Sequence, residues 1–233
     1  MSHFITHTSC PKCGSSDARG LYSDGGWFCF SCKASSKGSY VKQREYGNIP
    51  PVENKQLPDN ISTHFQGKSV EWLTKYGFSI EDLIKHGVRY SNNWVYFTWP
   101  DTDIWQGRNM DVKRYYTSGN HDSTLLLYYC GKDVDRCVLT EDSLSAIKIA
   151  SAGALGGLWS DAMPLLGTHL PAMKMKGLKR LYSQVDVFLD HDKGATAMRL
   201  STRLQLLGIK SRVYIDKRDP KEIPYEELRS MLL

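Results

Sequence analysis

The spacing of apolar residues changes character along the chain, and the change predicts where the elements lie. Between Ser69 and Gly87 the pattern is helical. Val70, Leu73 and Tyr76 share one face of a short helix that Ser69 can cap and Gly77 can stop. Ser79 can cap a second helix carrying Leu83 and Ile84, with Glu81 and Asp82 in its first turn and Gly87 at its end. Trp94–Trp99 and Ile104–Met110 are rich in β-branched and aromatic residues, and the Pro100–Asp103 turn predicts that they form a hairpin. After about Asp135, short apolar runs alternate with amphipathic ones. Cys137–Thr140, Ala162–Leu166, Val185–Leu189 and Arg212–Ile215 read as strands; Ser143–Ala150 and Gly194–Leu207, the latter ended by Gly208, read as helices. This alternation predicts a largely parallel sheet covered by helices, with ligands at the carboxyl ends of its strands.

Two stretches lack such periodicity. Residues 1–46 are rich in Gly, Ser and Cys and read as a small all-β domain. Residues 47–60 (GNIPPVENKQLPDN) contain three prolines and read as a flexible linker, leaving 61–233 as the second domain, with a 61–134 part and a 135–233 part. The chain has 233 residues, 41% hydrophobic and 24% charged, as expected of a globular protein. No apolar run approaches the roughly 20 residues of a membrane span, and Met1–Cys10 lacks a signal-peptide pattern. A net charge of +5 permits nucleic acid as a partner without requiring it.

Four of the six cysteines, Cys10, Cys13, Cys29 and Cys32, form C-x2-C-x15-C-x2-C. Two knuckles of two thiolates each match the tetrahedral cage of a structural zinc. A domain of this size has too little core to fold alone, so the metal would supply much of its stability. The alternatives are two local disulfides, which the reducing cytosol expected for this chain disfavours, or buried thiols that bind no metal. Cys130 and Cys137 stand apart as small buried side chains. Residues 1–44 hold six basic residues against Asp17 and Asp24, together with Tyr22, Trp27, Phe28 and Phe30. These rings either fill a thin core or stack on bases; Trp27, beside Gly25 and Gly26, is the candidate base contact.

Glu141 follows one predicted strand, Asp190 and Asp192 another, and Asp219 lies just beyond a third. Parallel strands bring these ends to one edge. In an extended D-x-D the two carboxylates point the same way and can share a hard cation such as Mg²⁺, with Mn²⁺ as the alternative. Such a cluster suits phosphoryl chemistry, with Glu141 as the proton acceptor and Asp190 and Asp192 as magnesium ligands.

At these residues the chain resembles the DnaG-type primases with a TOPRIM catalytic fold, and within them a compact stand-alone phage branch. YSDGGWFCFSC is similar to the family's template-reading ribbon, and SVEWLTKYGFSIEDLIKHGV to the paired helices that open its polymerase domain. Gly107–Asn109 with KRYYTSG resembles its basic segment, which implies phosphate contacts by Arg108, Lys113 and Arg114. LTEDSLSA, LLGT, FLDHDKGA and RDPKE resemble its TOPRIM segments, which carries over Glu141, Asp190, Asp192 and Asp219. The resemblance implies an α/β fold: a TOPRIM-type, largely parallel sheet preceded by a zinc ribbon. It implies an enzyme that makes RNA primers on single-stranded DNA from ribonucleoside triphosphates with Mg²⁺, beside a separate helicase and DNA polymerase. The chain departs from the pattern at Asp142 (Gly in the family), Ser145 (Asp), Gly194-Ala195 (reversed) and Gly26 (His in a phage relative). A TOPRIM nuclease and a zinc-ribbon replication adaptor are the competing readings. The chain contains no G-x-x-x-x-G-K-[ST] phosphate loop.

Overall fold

The computed structural model describes residues 3–15, 18–36, 56–99, 102–112, 114–119, 121–153 and 159–233. Most of the expected linker and all of Lys113 lie outside the described residues. The chain divides into two compact units, Met1–Pro51 and Val52–Leu233. No helix among the described residues is long and apolar enough to cross a membrane.

The first unit is an antiparallel sheet of β1 (Phe4–Thr8), β2 (Arg19–Tyr22), β3 (Trp27–Cys29) and β4 (Ser35–Ser36), in that order. Gly20 sits at its centre. A side chain there would press against Phe4 at 3.3 Å and Phe30 at 3.0 Å, so the missing Cβ lets these rings close over the strand. With His7 and Phe28 they form a continuous ring cluster.

The second unit opens with α1 (Lys68–Thr74) and α2 (Ile80–Lys85). Ser79 caps α2 as expected, accepting from the Asp82 amide at 3.0 Å. Ser69 does not cap α1. Gly67 holds the N-cap position, and the Ser69 hydroxyl instead donates back to the Gln66 carbonyl at 2.7 Å, bracing the turn before the helix. An antiparallel sheet follows: β5 (Val88–Ser91), β6 (Trp94–Thr98), β7 (Trp105–Asn109) and β8 (Arg114–Thr117). The expected hairpin is β6–β7. Gly87, at φ 76°, lets the chain turn from α2 into β5; a Cβ there would lie 2.7 Å from the Thr98 carbonyl oxygen, too close for any side chain.

The parallel sheet is built from β9 (Arg136–Thr140), β10 (Asp161–Pro164) and β11 (Gln184–Val187), with β9 between the other two. It is covered by α3 (Ser143–Ala152), α4 (Ala172–Leu181), α5 (Gly194–Leu206) and α6 (Tyr225–Leu232). Every β9 residue is buried, as expected of a parallel strand packed on both faces. Its alternating side chains serve two cores: Val138 packs with Phe97, Ile147 and Phe188, while Cys137 and Leu139 pack with Met163, Leu178 and Leu200. The expected strand Arg212–Ile215 is not a regular strand. Its backbone runs parallel to β11 and meets it through single bridges at Lys210 and Val213, because Arg212 faces Asp186 with its amide instead of continuing the ladder.

Arg136 and Asp186 form a buried ion pair at 2.8 Å, and Arg136 also donates to the Leu232 carbonyl at 2.7 Å. Arg136→Met would leave the fully buried Asp186 carboxylate without its cation. The expected cost is about 3–5 kcal/mol of unfolding free energy, measurable by denaturant titration.

Candidate active site and zinc centre

The four ribbon cysteines form two knuckles of the same design. In the first, the Gly14 amide donates to the Cys10 carbonyl at 2.9 Å; in the second, Lys33 donates to Cys29 at 2.9 Å. Gly14 and Lys33 both turn back with positive φ, 70° and 61°. The sulfurs converge: Cys10–Cys32 is 3.8 Å, Cys13–Cys29 is 3.7 Å, and all four ligand atoms lie within 4.8 Å of one another. A tetrahedron with metal–sulfur bonds of about 2.3 Å has edges of about 3.8 Å, whereas a disulfide needs about 2.05 Å. The set fits zinc, and all four cysteines are free thiols in this structure. Trp27 lies half-buried on β3, with the Arg19 guanidinium 5.6 Å from its ring centre.

In the second unit the parallel sheet delivers carboxylates to one edge. Glu141 follows β9 directly, and the Gly167 amide donates to its carbonyl at 3.3 Å, fixing its backbone. This bond comes from the LLGT segment, where Leu166 takes a positive φ of 56°. Asp142 caps α3, accepting from the Ser145 amide at 3.0 Å and the Ser145 hydroxyl at 3.1 Å. Asp190 lies three residues beyond β11, and Asp219 caps the short 3-10 turn Pro220–Glu222.

The extended D-x-D geometry is not found. The chain turns into a 3-10 helix at His191–Lys193, which carries Asp192 to a more exposed position where Lys193 holds its carboxylate. Asp219 is also engaged: one oxygen accepts from the His191 amide (3.2 Å) and ring (3.0 Å), the other from Lys221 (3.1 Å). Two oxygens are different. Glu141 Oε2 and Asp190 Oδ1 are buried and have no hydrogen-bond partner among the described residues. Burial, with Asp142 and Glu141 nearby, pushes the Asp190 carboxyl up to about 7, and burial raises that of Glu141 as well. Desolvated, unpartnered carboxylate oxygens at a strand edge have the chemistry of ligands for a hard dication, so these two residues fit the magnesium that the fold family implies.

Arg108 lies on β7 with its guanidinium 3.8 Å from the Trp72 ring centre and 5.6 Å from that of Tyr115. Stacking of this kind fixes the plane of the guanidinium. The Tyr115 phenol feels the charges of Arg108, Asp142 and Lys221 together, so the basic strand and the acidic edge share one neighbourhood. Arg114 opens β8 and is exposed, paired in register with Asn109. Trp72, Tyr115 and Lys221 were not singled out by the sequence patterns, and Asp142 was marked only as a departure from the family pattern. For Lys221 the one available signal was a basic residue two places after Asp219.

A four-cysteine ribbon followed by a TOPRIM-type α/β unit defines the architectural class. Within it, the chain is similar to the primase fragment of the bacteriophage T7 primase-helicase protein: TM-score 0.58 and 19% identity over 99% of this chain and 98% of that one. The zinc-binding and RNA polymerase domains of the Aquifex aeolicus primase match with a TM-score of 0.56 and 15% identity, over 99% of this chain and 80% of that one. The DnaG catalytic core matches 66% of this chain and 67% of its own, with a TM-score of 0.51 and 18% identity. At these identities the likeness is one of fold. No known family profile matches the chain.

Proposed function

We propose that the protein is a DNA-dependent RNA primase, in which the ribbon reads a single-stranded DNA template and the second unit joins ribonucleotides at its acidic edge. The supporting observation is the pair of buried, unpartnered oxygens on Glu141 and Asp190, in a fold shared with primases. Glu141 and Asp190 would hold magnesium, which when bound supplies a Lewis acid for the triphosphate and the attacking hydroxyl. Glu141, desolvated and raised in basicity, accepts the proton of that 3′-hydroxyl. Asp192 and Asp219 shape the anionic edge, the latter through His191 and Lys221. Arg108, with Lys113 and Arg114 on the same segment, binds phosphates of nucleotide or template. Trp27 offers its ring to a template base, and residues 47–60 link ribbon and polymerase. The enzyme works in the cytoplasm with a separate helicase and DNA polymerase.

The test is incubation with single-stranded templates, labelled ribonucleotides and Mg²⁺. Short RNA products support the reading. Template degradation without ribonucleotide extension would establish a nuclease instead, and neither activity would leave an adaptor. Arg108→Ala should raise KM for nucleotide or template about 10- to 100-fold, the range for losing a charge-assisted hydrogen bond, with a smaller change in kcat; steady-state kinetics would show it.

A further inference from the structure

Among the described residues only the four cysteines bring three or more metal-ligating atoms within 4.8 Å of one another. The carboxylates of the acidic edge are arranged around a lysine instead. Lys221 Nζ lies 2.8 Å from Asp142, 3.1 Å from Asp219 and 3.7 Å from Asp190, and its side chain is only 14% exposed. The turn beneath it is pinned: Pro220 starts the 3-10 helix, and the Glu222 side chain accepts from the Asp219 amide at 3.3 Å. Lys221 is therefore held at the centre of the acids, where solvent screens its charge weakly.

The partners account for most of the available oxygens. Both oxygens of Asp142 are taken, one by the Ser145 amide and the other by the Ser145 hydroxyl and Lys221. Both oxygens of Asp219 are taken by His191 and Lys221. Asp192 is held by Lys193. Of the oxygens left over, one each on Glu141 and Asp190 is buried, whereas Asp192 is exposed. Charge leads to the same place. Glu141, Asp142, Asp190, Asp192 and Asp219, when ionised, outweigh the ammoniums of Lys193 and Lys221 by three negative charges. One dication reduces that to one, and a second would make the cluster positive.

We propose that Lys221 is a resident cation of the acidic edge: it occupies Asp142 and Asp219 and limits the site to a single divalent ion, held by Glu141 and Asp190. Lys221 is a positioning residue, acting through the carboxylates it holds. The proposal rests on the catalytic-metal reading above, and its test is made without nucleotide or template so that the two fail separately.

Mn²⁺ binding to the zinc-loaded full chain would be followed by loss of the free-ion electron paramagnetic resonance signal. Wild-type protein should bind one Mn²⁺. Lys221→Gln keeps hydrogen-bond donors for Asp142 and Asp219 but removes the charge. It should bind the first ion about tenfold or more tightly, as expected when a unit positive charge a few ångström from a dication is removed, and should take up a second. Lys221→Met should shift in the same direction, and thermal melts would confirm that both variants fold. Weaker or unchanged Mn²⁺ binding in Lys221→Gln would overturn the proposal, because a lysine that only braces the site predicts loss. Should both variants fail to fold, the wild-type count decides: one ion upholds the proposal and two overturn it. Wild-type protein that binds no Mn²⁺ would overturn the catalytic-metal reading itself.

Discussion

Glu141→Gln is expected to cut primer synthesis by about 10²- to 10⁴-fold, the usual contribution of a positioned general base, while template binding stays near wild type. The glutamine keeps the shape that lets the Gly167 amide bond to the backbone carbonyl, so the strand edge itself should not move. It removes the anion whose Oε2 is buried without a partner, and with it the proton acceptor and a metal ligand. Loss of metal affinity adds to the defect. The measurement is single-turnover extension of a labelled primer, with template affinity followed by fluorescence anisotropy. Wild-type rates in Glu141→Gln would remove the acidic edge from the chemistry.

Cys29→Ser should abolish zinc binding and unfold the ribbon while leaving the second unit's melting transition in place. The ribbon's own apolar burial is small: among its described residues Cys10 and Cys29 are the buried core residues, and Phe4 and Phe30 are about half exposed. Structural zinc in modules of this kind contributes an apparent binding free energy of about 10–16 kcal/mol, far more than these contacts. Metal analysis should give one zinc per wild-type chain and none for the variant. Template-directed synthesis should fall with it, while unit two retains its fold because, among the described residues, its two cores are built from its own side chains. Zinc retained at full stoichiometry in Cys29→Ser would remove Cys29 from the cage.

Much of this fold was legible in the sequence because its signals are local. Cys-x2-Cys spacing, the Ser79 cap, the β6–β7 hairpin and the apolar run of β9 each depend on neighbours a few residues apart. The acids at the ends of β9 and β11 were legible for the same reason, since a parallel sheet carries strand ends to a common edge. What escaped were features set by distant partners. Ser69 has the composition of a cap, but Gly67 with its positive φ takes the position first. Asp192 reads as the end of a strand, but the 3-10 turn rotates it toward Lys193. Lys221 has the composition of a solvated turn residue, and only the fold brings Asp142, 79 positions away, within 2.8 Å of it. Asp142 and Ser145, departures from the family pattern, form one hydrogen-bonded unit at the start of α3.

The reach of Arg136 also bears on how the chain is made. Its bond to Leu232 spans 96 positions, whereas the cysteine pair Cys10–Cys32 spans 22. During synthesis the ribbon can close around its metal while most of the chain is still being translated. The central strand of the parallel sheet must wait, its guanidinium short of an acceptor, until Leu232 has left the ribosome. A nascent chain arrested before that point should carry a finished ribbon and an unfinished sheet, with protease protection reaching the two units in that order.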